Sequence, residues 1–204
     1  MKQHLIFIFI LFFIVACKRD NSSGELPDIY NYLTKDQIAK TPYFTNPDFD
    51  TLTFISNKGD TLIFAKQKTI SSFYRTEITG CNGCASQYSN YQQLLNTYQT
   101  IKGNGKFEVK HSKKGIAYDR INDDFLTISF NEFTFFATDN RLGTKTGTIY
   151  HDSLTFGNKK YYNVTKYFHH FNEQTQAECY LNIEFGFIYI FDFKNNLHFQ
   201  LIKP

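Results

Sequence analysis

Cys81-Asn82-Gly83-Cys84 is the densest reactive feature of this sequence. Two thiols at this spacing can close a small disulfide ring, cycle between dithiol and disulfide, or supply half of a zinc site. Asn and Gly both accept the positive φ that a tight ring demands. In an oxidising compartment the disulfide is the default reading. A local Cys81–Cys84 bond is therefore the leading expectation, with Cys179 buried as a small apolar residue. A bridge from one of the pair to Cys179 stays open. These three cysteines cannot all pair, so one thiol is left over in a monomer. A redox role needs the motif at a helix start within a strand–helix–strand pattern, which this chain lacks. A zinc site would draw on Cys81, Cys84, Cys179 and His169 or His170, but its second half has no recognised ligand spacing.

The other chemical residues are less organised. His169-His170 lies among aromatic residues, and adjacent residues of a strand point to opposite faces, which argues against one shared metal. His151-Asp152-Ser153 holds the residue types of a hydrolase triad. A triad converges in space as an ordered relay, which three consecutive residues rarely do. Asp123-Asp124 with Asn122 has the donors for a cation, yet reads more simply as a solvated turn before a strand. No nucleophile elbow, phosphate loop, HExxH helix or calcium loop is present. Asp50-Thr51-Leu52, Asp60-Thr61-Leu62 and Asp152-Ser153-Leu154 each resemble the Asp-Ser/Thr-aliphatic acceptor of a bacterial O-glycosylation system.

The amino-terminal end carries an address. Met1 to His4 is short and polar with one cation, and Leu5 to Ala16 is unbroken apolar sequence. As a helix that stretch reaches only about 18 Å, short of a hydrocarbon core of roughly 30 Å. A secretory signal fits better than a spanning helix. Ile14-Val15-Ala16-Cys17 resembles the bacterial lipobox. That resemblance implies cleavage between Ala16 and Cys17, diacylglycerol on the Cys17 sulfur, and a further acyl chain, such as palmitate, on the new amino terminus. Several acyl chains anchor firmly where one alone is marginal. Lys18-Arg19-Asp20 follows and is no dense acidic run, so the membrane face stays open. The expected division is a signal peptide over 1–16, a lipidated tether over 17–28, and a single β-rich domain over 29–204.

The elements that must position any site are strands. The chain has 23 Phe and 14 Tyr but no Trp, and only one Met. Aromatic, Ile and Thr residues favour strands, while good helix formers are thin. The formal charge of +3 is spread without a basic block, which argues against nucleic acid. Thr34 with Gln37 forms a capping box that predicts one short helix near 34–40, ended by Pro42. Hairpin patterns then recur: 51–54 with 61–64 across Asn57 to Asp60, and a strand from Phe107 after Gly103-Asn104-Gly105. Others are 125–130 with 133–136, 154–156 with 161–167 across Gly157-Asn158, and 187–193 with 197–201. Alternation in the last strand predicts one buried and one wet face. Residues 85–100 read equally as helix or strand, because Tyr88, Tyr91, Leu95 and Tyr98 sit on a helical stripe. Residues 50–54 with 57–58 echo 152–156 with 158–159, as two similar hairpins would. The expected fold is all-β: an antiparallel meander forming a barrel-like or sandwich domain, with one short N-terminal helix.

The pattern as a whole resembles a loose set of uncharacterised small bacterial lipoproteins. The matching residues are Ile14 to Cys17, Ile38 to Tyr43, Leu52-Thr53-Phe54 with Ser56 to Asp60, the cysteine pair, Asp152 to Phe156, Tyr162 with Val164, and Gly186-Phe187-Ile188. The resemblance implies an envelope address and a β fold, and no activity. The functional expectation is a non-enzymatic envelope protein, lipid-anchored to a membrane on its periplasmic side or at the cell surface, that binds a protein partner or small apolar ligand and needs no cofactor. A lipocalin-like carrier of an apolar ligand and an envelope hydrolase are the alternatives. A deep apolar cavity would favour the first, carboxylates near a histidine in one cleft the second, and an exposed aromatic patch a docking protein.

Overall fold

The computed structural model describes residues 26–39, 41–78, 87–113, 124–138, 148–171 and 174–204. Cys17, Ala16, Cys81, Cys84, Asn122 and Asp123 lie outside the described residues, as does the side chain of Asp124. The elements are β1 (Ile29–Asn31), α1 (Lys35–Ala39), two single 3₁₀ turns (Pro42–Phe44 and Pro47–Asp50), β2 (Thr51–Ser56), β3 (Thr61–Ile78), β4 (Gln87–Thr100), β5 (Lys106–Lys113), β6 (Asp124–Phe130), β7 (Phe133–Thr138), β8 (Ile149–Phe156), β9 (Lys159–Phe171), β10 (Gln174–Asn182), β11 (Gly186–Asp192) and β12 (Leu197–Lys203). Among the described residues, no helix is long and apolar enough to cross a membrane.

The short helix forms where its cap predicts. The Thr34 amide donates to Gln37 Oε1 at 2.9 Å, and the Gln37 amide donates to Thr34 Oγ1 at 3.2 Å. This reciprocal pair satisfies amides that the helix start leaves open. The chain then enters a single antiparallel path, β7-β6-β5-β4-β3-β2-β12-β11-β10-β9-β8. Strands pair with their neighbours in sequence from β2 to β7 and from β8 to β12, β12 returns to pair with β2, and β7 and β8, consecutive in the chain, stand at the two ends of the path. β1 joins from the side, parallel to β4. The all-β meander is thus present, and among the described residues β7, at one end, approaches β9, next to the other end, without a ladder between them. His169 Nδ1 on β9 lies 2.9 Å from the carbonyl of Thr134 on β7, and its ring packs against Phe133 and Phe135. The result is barrel-like rather than a closed barrel.

One face of the coiled sheet is filled by aromatic rings. Phe54, Phe64, Phe107, Phe130 and Phe187 are at most 1% exposed, and their centroids lie 5.6 to 6.4 Å apart in nine mutual pairs. Burial contributes about 2 kcal/mol per ring, and edge and tilted ring contacts add about 1 kcal/mol per pair. Tyr43, brought in by the first 3₁₀ turn, seals one end. Its hydroxyl accepts the Phe187 amide at 2.6 Å, and its carbonyl accepts Asn96 Nδ2. Burial holds the Tyr43 phenol well above its usual pKa. Gly186 sits at φ +66° beneath this ring, and a Cβ there would stand 2.7 Å from Tyr43 Oη. Only glycine meets both conditions.

A second, smaller layer forms where the β8–β9 hairpin bends over β10 to β12. Asn163 occupies the left-handed region at φ 52° in mid-β9 and marks the bend. Phe156 stacks on Tyr189 at 4.5 Å, and Gln200 Nε2 donates to the Phe156 carbonyl. Tyr161, Val164 and Ile188 form the buried centre of this layer. It explains why β12 departs from the expected buried-and-wet alternation. Leu197, His198, Phe199 and Gln200 are all half-buried, because the ring core takes Phe199 while Tyr189 and Phe156 take His198 and Gln200. The two echoing hairpins, β2–β3 and β8–β9, occupy unlike places: β2 is central and β8 ends the path.

Candidate interaction surface

Residues 85–100, readable as helix or strand, are the long strand β4. It pairs with β3 from Phe64–Thr100 out to Ile78–Gln87. Among the described residues, β5 accompanies β4 as far as Gln93. Beyond that point the three residues of β1 take the place of β5, beside Ser89 to Tyr91. The paired outer ends of β3 and β4, with β1 alongside, make an arm that continues past the ring core.

Pairing places Tyr30, Asn90 and Arg75 on one face of the arm. Phe73, Tyr32 and Tyr88 share it. Phe73 meets Tyr30 edge-on at 5.4 Å and Tyr32 edge-on at 5.3 Å. The Arg75 guanidinium lies 3.6 Å from the centre of the Tyr88 ring. Three of these rings face solvent: Tyr30 is 54% exposed, Tyr32 60% and Phe73 39%. On the opposite face Tyr74 stacks on the buried Tyr91, and its hydroxyl donates to the Lys113 carbonyl.

The exposed cluster is held by polar contacts at its edge. Asp28 accepts from Asn90 Nδ2 at 3.0 Å and from Arg75 at 3.1 Å. The Asn90 hydrogen bond, helped by Arg75, lowers the Asp28 pKa below the usual carboxylate value. The Leu33 amide donates to Gln92 Oε1, and Gln92 Nε2 donates to Ser71. These bonds dock β1 onto β4 while leaving the tyrosine hydroxyls at the surface. Tyrosine rings presented in this way offer an apolar body and a polar tip to a partner.

The residues with catalytic or ligand chemistry are dispersed. Cys179 is a free thiol buried in the ring core, and burial raises its pKa well above the usual value. That matches its expected packing role and leaves it without the bridge to the cysteine pair. His169 turns toward β7, whereas His170 stacks on Phe168 and meets Thr175 Oγ1 at 3.2 Å. His151 faces Tyr180, and Asp152 is exposed between its neighbours on the alternating strand β8, so the three-residue run does not converge. Among the described residues, no group of three His, Cys, Asp or Glu side chains is gathered for a metal. Of the three O-glycosylation-like triplets, Thr51 and Thr61 are exposed and Ser153 is half-buried.

A half-open cleft of about 290 Å³ lies at the β6–β7 turn, between Phe130, Phe133, Phe199 and Leu197. Its polar wall is formed by Asn131, Glu132, Asn195 and Asp192, which accepts from the Asn195 amide at 3.1 Å and from Asn195 Nδ2 at 2.7 Å. Those bonds close the β11–β12 turn.

Reasoning from sequence missed Tyr30, Tyr32 and Phe73. The available signal was Tyr30-Asn31-Tyr32, an alternating aromatic pair just after Pro27-Asp28, but it is too short to separate from an ordinary strand. No protein-family model, no curated protein and no solved structure matches the chain.

Proposed function

We propose that this chain is a lipid-anchored lipoprotein of a bacterial envelope, whose β-rich domain acts by binding through its outer surface. The signal-like 1–16 segment and the lipobox-like Ile14 to Cys17 support the address. The exposed Tyr30–Phe73–Tyr32 cluster carries the binding part of the reading. These rings sit in solvent while Phe54, Phe64, Phe107, Phe130 and Phe187 pack the sheet's inner face against one another. Large apolar side chains that burial does not use, fixed in place by hydrogen bonds, are the mark of a surface with a partner.

Cys17→Ala tests the anchor. The variant is expected to leave the membrane fraction and to lose incorporation of labelled fatty acid. Unchanged membrane retention, with no lipid label on the parent protein, overturns the reading.

The cleft beside Phe130, Phe133 and Phe199 favours a second reading, a carrier of a small apolar ligand. At about 290 Å³ it lies just below the usual range for small-molecule sites, which begins at roughly 300 Å³. Organic extraction of the purified protein followed by mass spectrometry decides it: a stoichiometric co-purifying molecule supports the carrier, and its absence removes it.

A further inference from the structure

We infer that the occupant of the arm's aromatic face is the headgroup layer of the same bilayer that holds the lipid anchor. This rests on the lipoprotein reading, because it takes Cys17 as the point of attachment. The argument begins with chain length. Roughly 11 residues separate Cys17 from Asp28, and fully extended they reach at most about 40 Å. The stretch is polar with Ser-Ser-Gly and Pro, and linkers of such composition and length have a root-mean-square span of about 18 Å. A domain of this size is itself about 40 Å across. The tether therefore holds the start of β1 close to the membrane and leaves the opposite side of the domain pointing away.

The residues at that point have the right chemistry. Tyr30 and Tyr32 belong to or directly follow the first strand after the tether, and Phe73 is locked between them. Amphipathic tyrosine rings concentrate at membrane–water interfaces, where the ring meets the upper acyl chains and the hydroxyl stays among headgroups. Arg75, half-exposed beside the cluster, supplies a cation at the level of lipid phosphates. Asp28 pairs with it, and Glu77 lies two residues further along the same face of β3. A second copy or a protein partner would also bury the rings, but neither is brought to this face by the tether.

The test uses the absence of Trp in the chain. Tyr32→Trp and Phe73→Trp each place a single reporter on the arm. Tyr150→Trp places one on β8, where Tyr150 is 67% exposed at the far end of the sheet path. The full-length acylated proteins are reconstituted into phosphatidylethanolamine–phosphatidylglycerol vesicles with and without lipids brominated on the acyl chains. Quenching of both arm reporters, with Tyr150→Trp unaffected, is the expected result. Two independent arm positions keep the test intact if one variant folds poorly, and protease resistance equal to the parent certifies each. Mass spectrometry of the amino-terminal peptide separates the two claims. Acyl chains on Cys17 with no quenching on the arm, or equal quenching at all three positions, overturns the docking inference and leaves the anchor standing. An arm reporter that is blue-shifted yet unquenched does the same and points to a protein partner. A Cys17 without acyl chains removes the anchor, and the docking inference with it.

Discussion

Tyr43→Phe isolates the bond that ties the N-terminal turns to the sheet. Tyr43 is 1% exposed, and its hydroxyl is the acceptor for the Phe187 amide at 2.6 Å. Removing one oxygen leaves the ring contacts with Phe49, Tyr98 and Phe107 intact. What changes is the Phe187 N–H, which is left buried without its acceptor, at a cost of about 1–3 kcal/mol. Equilibrium urea unfolding at pH 7 should show the midpoint falling with an unchanged slope. The same variant changes the alkaline limb. The folded Tyr43 phenol titrates well above its ordinary value because it is buried, whereas the unfolded phenol titrates near 10. Between those two points the folded state binds more protons than the unfolded one, so stability falls as pH rises. The contribution is complete below the unfolded value and is lost as pH climbs toward the folded one, at no more than about 1.4 kcal/mol per pH unit for each such phenol. Tyr98, raised by the same cause, adds to the slope. The parent should therefore lose stability above about pH 10 more steeply than Tyr43→Phe does. A variant as stable as the parent at pH 7, with an identical alkaline slope, would refute the claim that this hydroxyl is a buried, neutral acceptor.

Three further outcomes are expected, two from the structure and one from the cysteine spacing in the sequence. Gly186→Ala combines a left-handed φ with a Cβ 2.7 Å from Tyr43 Oη and should destabilise by about 3 kcal/mol; joined to Tyr43→Phe it should cost less than the sum, and strict additivity in thermal unfolding would contradict the contact. Arg75→Ala should leave global stability within about 1 kcal/mol, because the pair is exposed, yet speed hydrogen exchange at Ile29 to Asn31. The lowered Asp28 pKa means this clamp persists as pH falls past the usual carboxylate value and is lost only as pH drops through its own; β1 amides that become unprotected already at the ordinary carboxylate pKa would contradict it. Non-reducing peptide mapping should show Cys81 joined to Cys84, with Cys179 alkylated only after unfolding; two free thiols at Cys81 and Cys84 would end that reading.

Local signals were legible wherever one short stretch carried its own reason. Thr34 and Gln37 cap α1 through bonds confined to that turn. Asn57 to Asp60 and Gly157-Asn158 reverse the chain because their residues suit tight turns. β4 was not legible as a strand, and the physical reason lies in its length. Ser89, Asn90 and Tyr91 are buried in succession on the arm, while Asn96, Tyr98 and Thr100 alternate with more exposed residues at the core, so the burial pattern changes along the strand. A period of two shows only where one face stays buried throughout. β12 lost its alternation for a related reason, since the bent β8–β9 hairpin covers the face that would otherwise be wet.

The amino-acid sequence by itself determined the strand-rich composition, the turns, the short capped helix and the order in which hairpins follow one another, because each rests on residues close in the chain. It also carries the whole case for the Cys17 anchor, which is a matter of order along the chain rather than of packing. Only the tertiary structure decided that β12 returns to β2, that β1 replaces β5 beside β4, and which aromatics are core and which are surface. Phe64 and Phe73 belong to one strand, Phe64 after Leu62-Ile63 and Phe73 after Ser71-Ser72, and both are equally apolar. Phe64 is fully buried because strands distant in sequence close over it, and Phe73 is exposed because β3 runs on past the core to a place where, among the described residues, β1 takes the position of β5 beside β4. Burial depends on contacts between residues far apart in the chain, and those contacts exist only once the sheet has coiled.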